Sequence, residues 1–343
     1  MRFKGILAVV AVVALAVPAF ASRATPPDFN STESVLRWVN GYRHKPDPAS
    51  VPAAVRALSQ AGAFKDTEGA GVYVGFIAGV LAANSGRADE IIEKILPLPV
   101  ENQWAVVRAI AYSGLPDWRA LLERSMARMP QRRVLIDKYL NASLPTLKGA
   151  GEDRKPGWWE RTKAHMPFTD KPKKIVMIEA SPDLLDTYWG YYFATGGMMP
   201  VNRLIGLLPL TKERDNVEKL TVGSMAKYTL ASNAARDPGL LSMLKRTSLR
   251  QDKETLLILN EIIEAAESIE LGAIRKEAMN NINDLKMKGP GSRRDMAMWG
   301  QVGESAIGIG CIAAAVTGQV ALGLPCVIGG ATSSAAIKYL STP

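Results

Sequence analysis

The sequence predicts an all-α protein: a repeat-like array of antiparallel helix pairs in two related blocks, followed by a small-residue helical hairpin. Three observations carry this expectation. Apolar residues recur at i, i+3, i+4 and i+7 through most of the chain. Alternating β-branched runs with hairpin turns are almost absent. Two stretches, one around Tyr73 and one around Tyr188, echo each other.

The chain opens with Arg2 and Lys4, then an uncharged apolar run from Gly5 to Val17, then Ala19-Phe20-Ala21. A positive start, a short apolar stretch and a small-x-small site predict a secretory signal peptide over residues 1–21, cut after Ala21. The run is short for a membrane span. Export is the expectation, with an uncleaved N-terminal anchor as the alternative.

Residues 22–145 read as a first helical block. Asn30 and Glu33 have capping-box spacing ahead of Val35, Leu36, Trp38 and Val39, and Gly41 stands where a helix ends. Ser50 with Pro52 starts the next helix, whose apolar face holds Val55 and Leu58. Tyr73, Phe76, Ile77, Val80 and Leu81 form a helix stripe. Ile91, Ile92 and Ile95 mark another helix, stopped by Pro97 and Pro99. Trp104, Val107, Ile110 and Ala111 mark the next, closed by Gly114. Pro116 is expected in the first turn of a helix carrying Trp118, Leu121 and Leu122.

Residues 146–180 read as a basic linker containing proline and glycine, with one short strand expected over 174–178. Residues 181–290 read as a second helical block. Ser181-Pro182-Asp183 is a strong helix start, with a capping hydroxyl, a first-turn proline and an acid against the helix dipole. Helices are expected over Pro200–Leu208, Lys212–Ala231 and Pro238–Thr247. Asp252 then caps a long amphipathic helix reaching about Lys286, with Leu256, Leu259, Ile263, Ala266, Ile269 and Ile274 on its apolar stripe.

The echo pairs Tyr73-Val74-Gly75-Phe76 and Leu96-Pro97-Leu98 with Tyr188-Trp189-Gly190-Tyr191 and Leu208-Pro209-Leu210. Leu115-Pro116 is echoed likewise by Asp237-Pro238; the copies lie roughly 112 to 122 residues apart and suggest a duplicated block.

Residues 291–343 read as a Gly/Ala-rich hydrophobic hairpin. Its apolar part, 306–336, turns near Gly318–Gly323, which brings Cys311 and Cys326 face to face as a disulfide in an oxidising compartment. A single membrane helix and a membrane-inserting hairpin are the competing readings. Export would leave Lys286, Lys288, Arg293 and Arg294 outside, against the positive-inside tendency.

Apolar residues make up 47% of the chain, enough for a sizeable core, and the net charge is +9. A basic exported protein suits acidic partners, membrane surfaces or cell-wall polymers. The basic residues are interleaved with acids and carry no nucleic-acid signature, so no nucleic-acid partner is expected.

His44 and His165 are the only histidines, and no metal-ligand spacing, nucleophile elbow or phosphate loop occurs. No cofactor, metal or catalytic constellation is expected. Glu179, Asp183 and Asp186 cluster as carboxylates, but helix-start chemistry accounts for Asp183. Trp158 and Trp159, in a basic setting, and Tyr188, Trp189 and Tyr192 are the candidate partner-binding or surface-binding residues, with packing into the helical core as the other reading of both groups. The functional expectation is an exported, non-enzymatic helical binding or scaffold protein of the periplasm that recognises a protein or peptide. The alternatives are association with a membrane through residues 306–336, or release from the cell.

Overall fold

The computed structural model describes residues 27–67, 69–147 and 180–268, together with Lys276, Glu277 and Asn280. The signal peptide, nearly all of the linker with its expected strand, Trp158, Trp159, His165, Glu179 and the hairpin with Cys311 and Cys326 lie outside them. The described residues form twelve α-helices joined by short 3₁₀ turns, with no strand among them.

Helix α1 spans Thr32–Gly41 and buries Val35, Leu36 and Val39. Its capping box is Ser31 with Ser34, one residue later at each end than the Asn30/Glu33 pair read from spacing. The Asn30 amide instead donates to Asp28 at 2.6 Å, which leaves the Ser31 hydroxyl to accept from the Ser34 N–H at 3.1 Å. The α-helix ends at Gly41 as expected, although the glycine backbone stays right-handed and the chain continues into a 3₁₀ turn at Tyr42–His44. Tyr42 draws that turn inward, its ring edge-on to Trp38 and Phe76.

Helix α2 covers Val51–Gln60 with Pro52 in its first turn and Val55 and Leu58 inside. Helix α3, Gly71–Ala83, is treated below. Helix α4, Ala88–Ile95, buries Ile91, Ile92 and Ile95 and stops ahead of Pro97 and Pro99. Helix α5, Gln103–Tyr112, is followed by Gly114 at φ +73°, a left-handed position that glycine takes without steric cost. Helix α6 begins at Trp118, so Pro116 sits before it and not in its first turn. Helix α7, Arg133–Leu140, completes the first half.

In the second half, α8 spans Pro182–Thr195 and starts as expected, with the Ser181 hydroxyl accepting from the Leu184 N–H at 3.2 Å. Helix α9 covers Met198–Ile205, and the chain from Leu208 to Lys212 forms a 3₁₀ turn where the sequence suggested more helix. Helix α10 covers Val217–Ala234, capped by Asn216, and α11 covers Pro238–Ser248, capped by Asp237. In α12, Lys253–Ser268, the buried face is Thr255, Ile258, Leu259, Ile262, Ala265 and Ala266. Leu256 and Ile263 of the expected stripe are only half buried. The stripe is rotated because Thr255, which reads as polar, is drawn to the helix start, its hydroxyl donating to the Asp252 carboxylate at 2.8 Å.

One apolar cluster runs through both halves, and its centre is the pair α3 and α8. The sequence suggested an amphipathic α3. Instead every residue from Gly71 to Leu81 is buried, as expected of a helix apolar on all sides. The two helices run in the same direction. Gly71 lies against Asp183 and Asp186, Gly75 against Thr187, and Gly79 against Tyr191 and Ala194. This seam departs from the antiparallel pairing expected of neighbouring helices.

The contact is reciprocal. A methyl group on Gly75 would overlap the Thr187 carbonyl, and one on Gly190 would overlap the Val72 carbonyl. A methyl on Gly79 would come 2.7 Å from the Ala194 Cβ, and one on Gly71 would come 2.9 Å from the Asp186 Cβ. Gly71 meets residues 183 and 186, Gly75 meets 187, Gly79 meets 191 and 194, and Gly190 meets 72, so the facing residues lie 112 to 118 positions apart. The Gly71-x₃-Gly75-x₃-Gly79 spacing gives α3 a side-chain-free groove along one face. With no Cβ in the way, the glycine Cα–H groups point at the facing carbonyls, a weak but recurrent helix–helix interaction.

Candidate functional site

The polar groups of the core gather at the two ends of the α3–α8 seam. At the end where both helices begin, Asp183 and Asp186 flank Gly71. Asp186 is fully buried. Arg108, from α5, places its Nη1 3.5 Å from the Asp183 carboxylate, and its guanidinium lies 4.7 Å from the Trp104 ring centroid. Tyr73, Tyr112 and Tyr139 complete the group.

Burial, with the Asp186 charge adding to it, raises the Tyr73 hydroxyl well above its ordinary value. Burial also raises Tyr112 and Tyr139, which meet edge to face at 6.4 Å. All three therefore remain neutral hydrogen-bonding phenols near neutral pH. The cluster brings two of the three carboxylates singled out from the sequence to one place.

At the far end of α8, Asp237 gathers four partners. Its Oδ1 accepts from the N–H groups of Gly239 and Leu240 at 2.9 and 3.1 Å, which caps α11. Its Oδ2 accepts from the Tyr192 hydroxyl at 2.6 Å and from Arg43 Nε and Nη2 at 3.1 and 2.7 Å. The Arg43 guanidinium also lies 5.1 Å from the Tyr192 ring centroid, and its Nη1 donates to the Asn40 carbonyl. Burial works to raise the Asp237 carboxyl. The bonds from Tyr192, the Leu240 N–H and Arg43 outweigh it and hold the group below the usual carboxylate range.

The structure places Tyr188, Trp189 and Tyr192 inside the core, with exposures of 1%, 0% and 2%. The Trp189 Nε1 donates to the Thr229 hydroxyl on α10 at 3.0 Å, and the Tyr191 hydroxyl donates to the Ser113 carbonyl at 2.9 Å. Helix α8 is thus a hub whose aromatic residues each reach a different neighbour, which is why five can follow so closely in sequence. Tyr188 also edges a small depression of about 90 Å³ beside Asn202 and Arg203.

Two features were not read from the sequence. One is Lys227 of α10, itself buried, with its Nζ 2.6 Å from both Glu261 and Glu277. The other is a depression of about 220 Å³ beside the Leu96-Pro97-Leu98 turn. Nothing in the local spacing marks Lys227, since its partners lie 34 and 50 residues away.

The burial of so many phenols has a measurable consequence. Tyr42, Tyr73, Tyr112, Tyr139, Tyr188, Tyr191 and Tyr192 are all raised chiefly by burial, Tyr42 and Tyr188 to about 12. A group raised in the folded state contributes stability that is complete below its unfolded value and is lost as pH rises toward the folded one. Each tyrosine should remove about 1.4 kcal/mol per pH unit above about pH 10. Urea midpoints are expected to hold steady to about pH 9 and to fall steeply between about pH 10 and 12. Tyrosinate absorbance should appear together with unfolding. Tyrosinate forming near pH 10 in a protein that stays folded would contradict the burial.

Fold and polar clusters together define an all-α protein organised around one central parallel helix pair. Comparison with protein-family models, curated proteins and solved structures finds no match.

Proposed function

We propose that this chain is an exported, non-enzymatic helical scaffold of the periplasm that recognises a protein or peptide partner on its surface. The observation that carries this reading is the commitment of the buried polar groups to the fold. Asp237, Tyr192, Trp189, Tyr191 and Thr229 each bond to another helix, a helix cap or a backbone carbonyl. Such a body is rigid, and a rigid body presents a pre-organised surface at low entropic cost.

The seam joins the two stretches that echo each other in sequence, its facing residues 112 to 118 positions apart, and this supports a finer reading of two related helical blocks packed centre to centre. In that reading the basic stretch 146–180 joins the blocks, and residues 291–343 form a small-residue hairpin clipped by Cys311 and Cys326. Attachment to a membrane through residues 306–336 is the second reading, favoured by the absence of charge between Glu304 and Lys338.

Fractionating the native host, with an alkaline wash of the membranes, separates the two readings. Recovery of the mature protein in the periplasmic extract, crosslinked to a partner, is the expected result. Retention in the washed membrane that is lost on deleting 306–336 would replace it with the membrane reading. Recovery in the cytoplasm with the leader intact would remove both.

A further inference from the structure

The first Leu-Pro-Leu turn builds a recess that the second does not. At Leu208-Pro209-Leu210 the turn lies directly on α10. The space at Gly223 is filled by the Thr211 N–H and by the Leu210 Cβ, which would sit 2.8 Å from an added methyl. Beside Pro97 and Leu98 of the first turn lies an open depression of about 220 Å³, walled also by Arg56, Ser59, Gln60 and Lys65.

Its floor is polar and buried. Asn102 is 5% exposed and donates through Nδ2 to the Ser59 hydroxyl at 2.7 Å. That bond uses one of the four hydrogen-bonding positions of the amide. The Asn102 Oδ1 takes no hydrogen bond from any described residue. The oxygen is open to the recess and can accept a hydrogen bond from a bound group.

The frame is fixed. Gln103 Nε2 donates to the Leu98 carbonyl at 3.2 Å, and Arg132 Nε and Nη2 both donate to the Val100 carbonyl, at 3.0 and 2.6 Å. Arg56 and Lys65 stand on the rim, and neither pairs with a carboxylate among the described residues. Arg56 Nη1 donates to the Lys94 carbonyl at 3.1 Å, which parks the guanidinium there with its other N–H groups free. Glu101 is the acidic member of the rim, so the cations outnumber it.

We propose that this recess binds a short acidic peptide segment. The carboxylate is taken by Arg56 and Lys65, a backbone N–H of the peptide by the Asn102 Oδ1, and the apolar part of the segment by Pro97 and Pro99. The chemistry follows from the parts. A side-chain amide matches the donor and acceptor of a peptide bond, and two cations without a carboxylate partner among the described residues match a carboxylate. The volume admits one or two residues and excludes a larger cofactor. This inference rests on the binding reading above and gives it a site.

The test is titration of the intact mature protein, followed by backbone and side-chain amide NMR. The probes are acetyl-Ala-Ala-Asp with a free C-terminus and the neutral acetyl-Ala-Ala-Asn-amide. The acidic peptide is expected to shift the Asn102 side-chain amide and the Ser59 and Lys65 signals. The neutral peptide should bind about tenfold more weakly or less.

Arg56→Gln combined with Lys65→Gln changes exposed side chains only and should keep the fold while weakening the acidic peptide about tenfold. Equal binding of both peptides, shifts confined to another face, or indifference to the double substitution would each overturn the site. A partner crosslinked at another face would overturn the site and leave the scaffold reading standing. Failure of export would overturn the scaffold reading and leave the peptide result untouched.

Discussion

Replacing Gly75 or Gly190 with alanine is expected to destabilise the protein by about 4 kcal/mol, a large part of a typical domain's total stability. A single methyl group ordinarily stabilises an exposed helix relative to glycine by up to about 1 kcal/mol. Here the sign reverses, because the methyl would occupy the space of a backbone carbonyl, Thr187 for one site and Val72 for the other. A flexible side chain can rotate away from such a clash. A carbonyl in the middle of a helix cannot, so α3 and α8 must separate along their whole length.

The neighbours along the seam are already close, with 2.7 Å at Gly79 and 2.9 Å at Gly71 for added methyls. Separating the helices therefore loosens contacts at both ends and strips packing from Trp189 and Phe76, which are almost wholly buried. The two substitutions should not add. Once the first has opened the seam, the second meets less resistance, and the double variant should lose clearly less than the sum. Gly86→Ala, with no atom within 4 Å of the new methyl, should change stability by less than about 0.5 kcal/mol. Urea unfolding followed by circular dichroism reads all four variants. Wild-type midpoints for Gly75→Ala and Gly190→Ala would mean that the helices do not meet in this way.

The seam also marks what the sequence could and could not convey. The resemblance between the Tyr73 and Tyr188 stretches was visible, and so were Gly75 and Gly190 within it. Their meeting was not. Helices neighbouring in sequence pair through short turns, and local reasoning favours antiparallel partners. α3 and α8 are separated by α4 to α7 and the stretch 148–179, and nothing local reports a parallel contact across that distance. For the same reason α3 read as amphipathic. A stripe was picked out of eleven buried residues because periodicity was sought where every face was apolar.

The aromatics Tyr188 to Phe193 are too continuous for one helix face, so the sequence offers core packing, a groove or a contact between the blocks, and the burial of Tyr188, Trp189 and Tyr192 fits the first and third. Boundaries that depend on local chemistry fared better. Ser181 and Asp252 cap their helices as expected and α11 starts at Pro238 as expected, whereas the helix expected from Lys212 starts at Val217, where Asn216 supplies the cap. The cap at Ser31 was displaced by one residue only because Asn30 found a nearer partner in Asp28.

Asp237→Ala is the second substitution with a large expected effect, about 3–5 kcal/mol. Three losses coincide. The α11 cap contributes about 1 kcal/mol through the Gly239 and Leu240 N–H groups. The Tyr192 hydroxyl loses its acceptor inside the core. Arg43, with a side chain only 11% exposed, is left as an uncompensated buried cation.

The variants separate these terms. Asp237→Asn keeps an oxygen for the cap but removes the charge, and should cost less than alanine. Tyr192→Phe removes one neutral-donor bond and should cost about 1–2 kcal/mol. Arg43→Met in the Asp237→Ala background should restore part of the loss, because the orphaned charge goes with it.

The pH dependence has a definite sign. Asp237 is held below its ordinary value in the folded state, so its contribution is present above the unfolded value of about 4 and disappears as pH falls through the folded one. Wild-type stability should therefore drop below about pH 4, and Asp237→Asn should flatten that limb. Because Arg43 lies beside α1 and Asp237 opens α11, 194 residues apart, the acid limb reports the docking of the chain's beginning onto its second half. An Asp237→Asn variant with an unchanged acid limb and a wild-type midpoint would place the carboxylate outside the core and break that link.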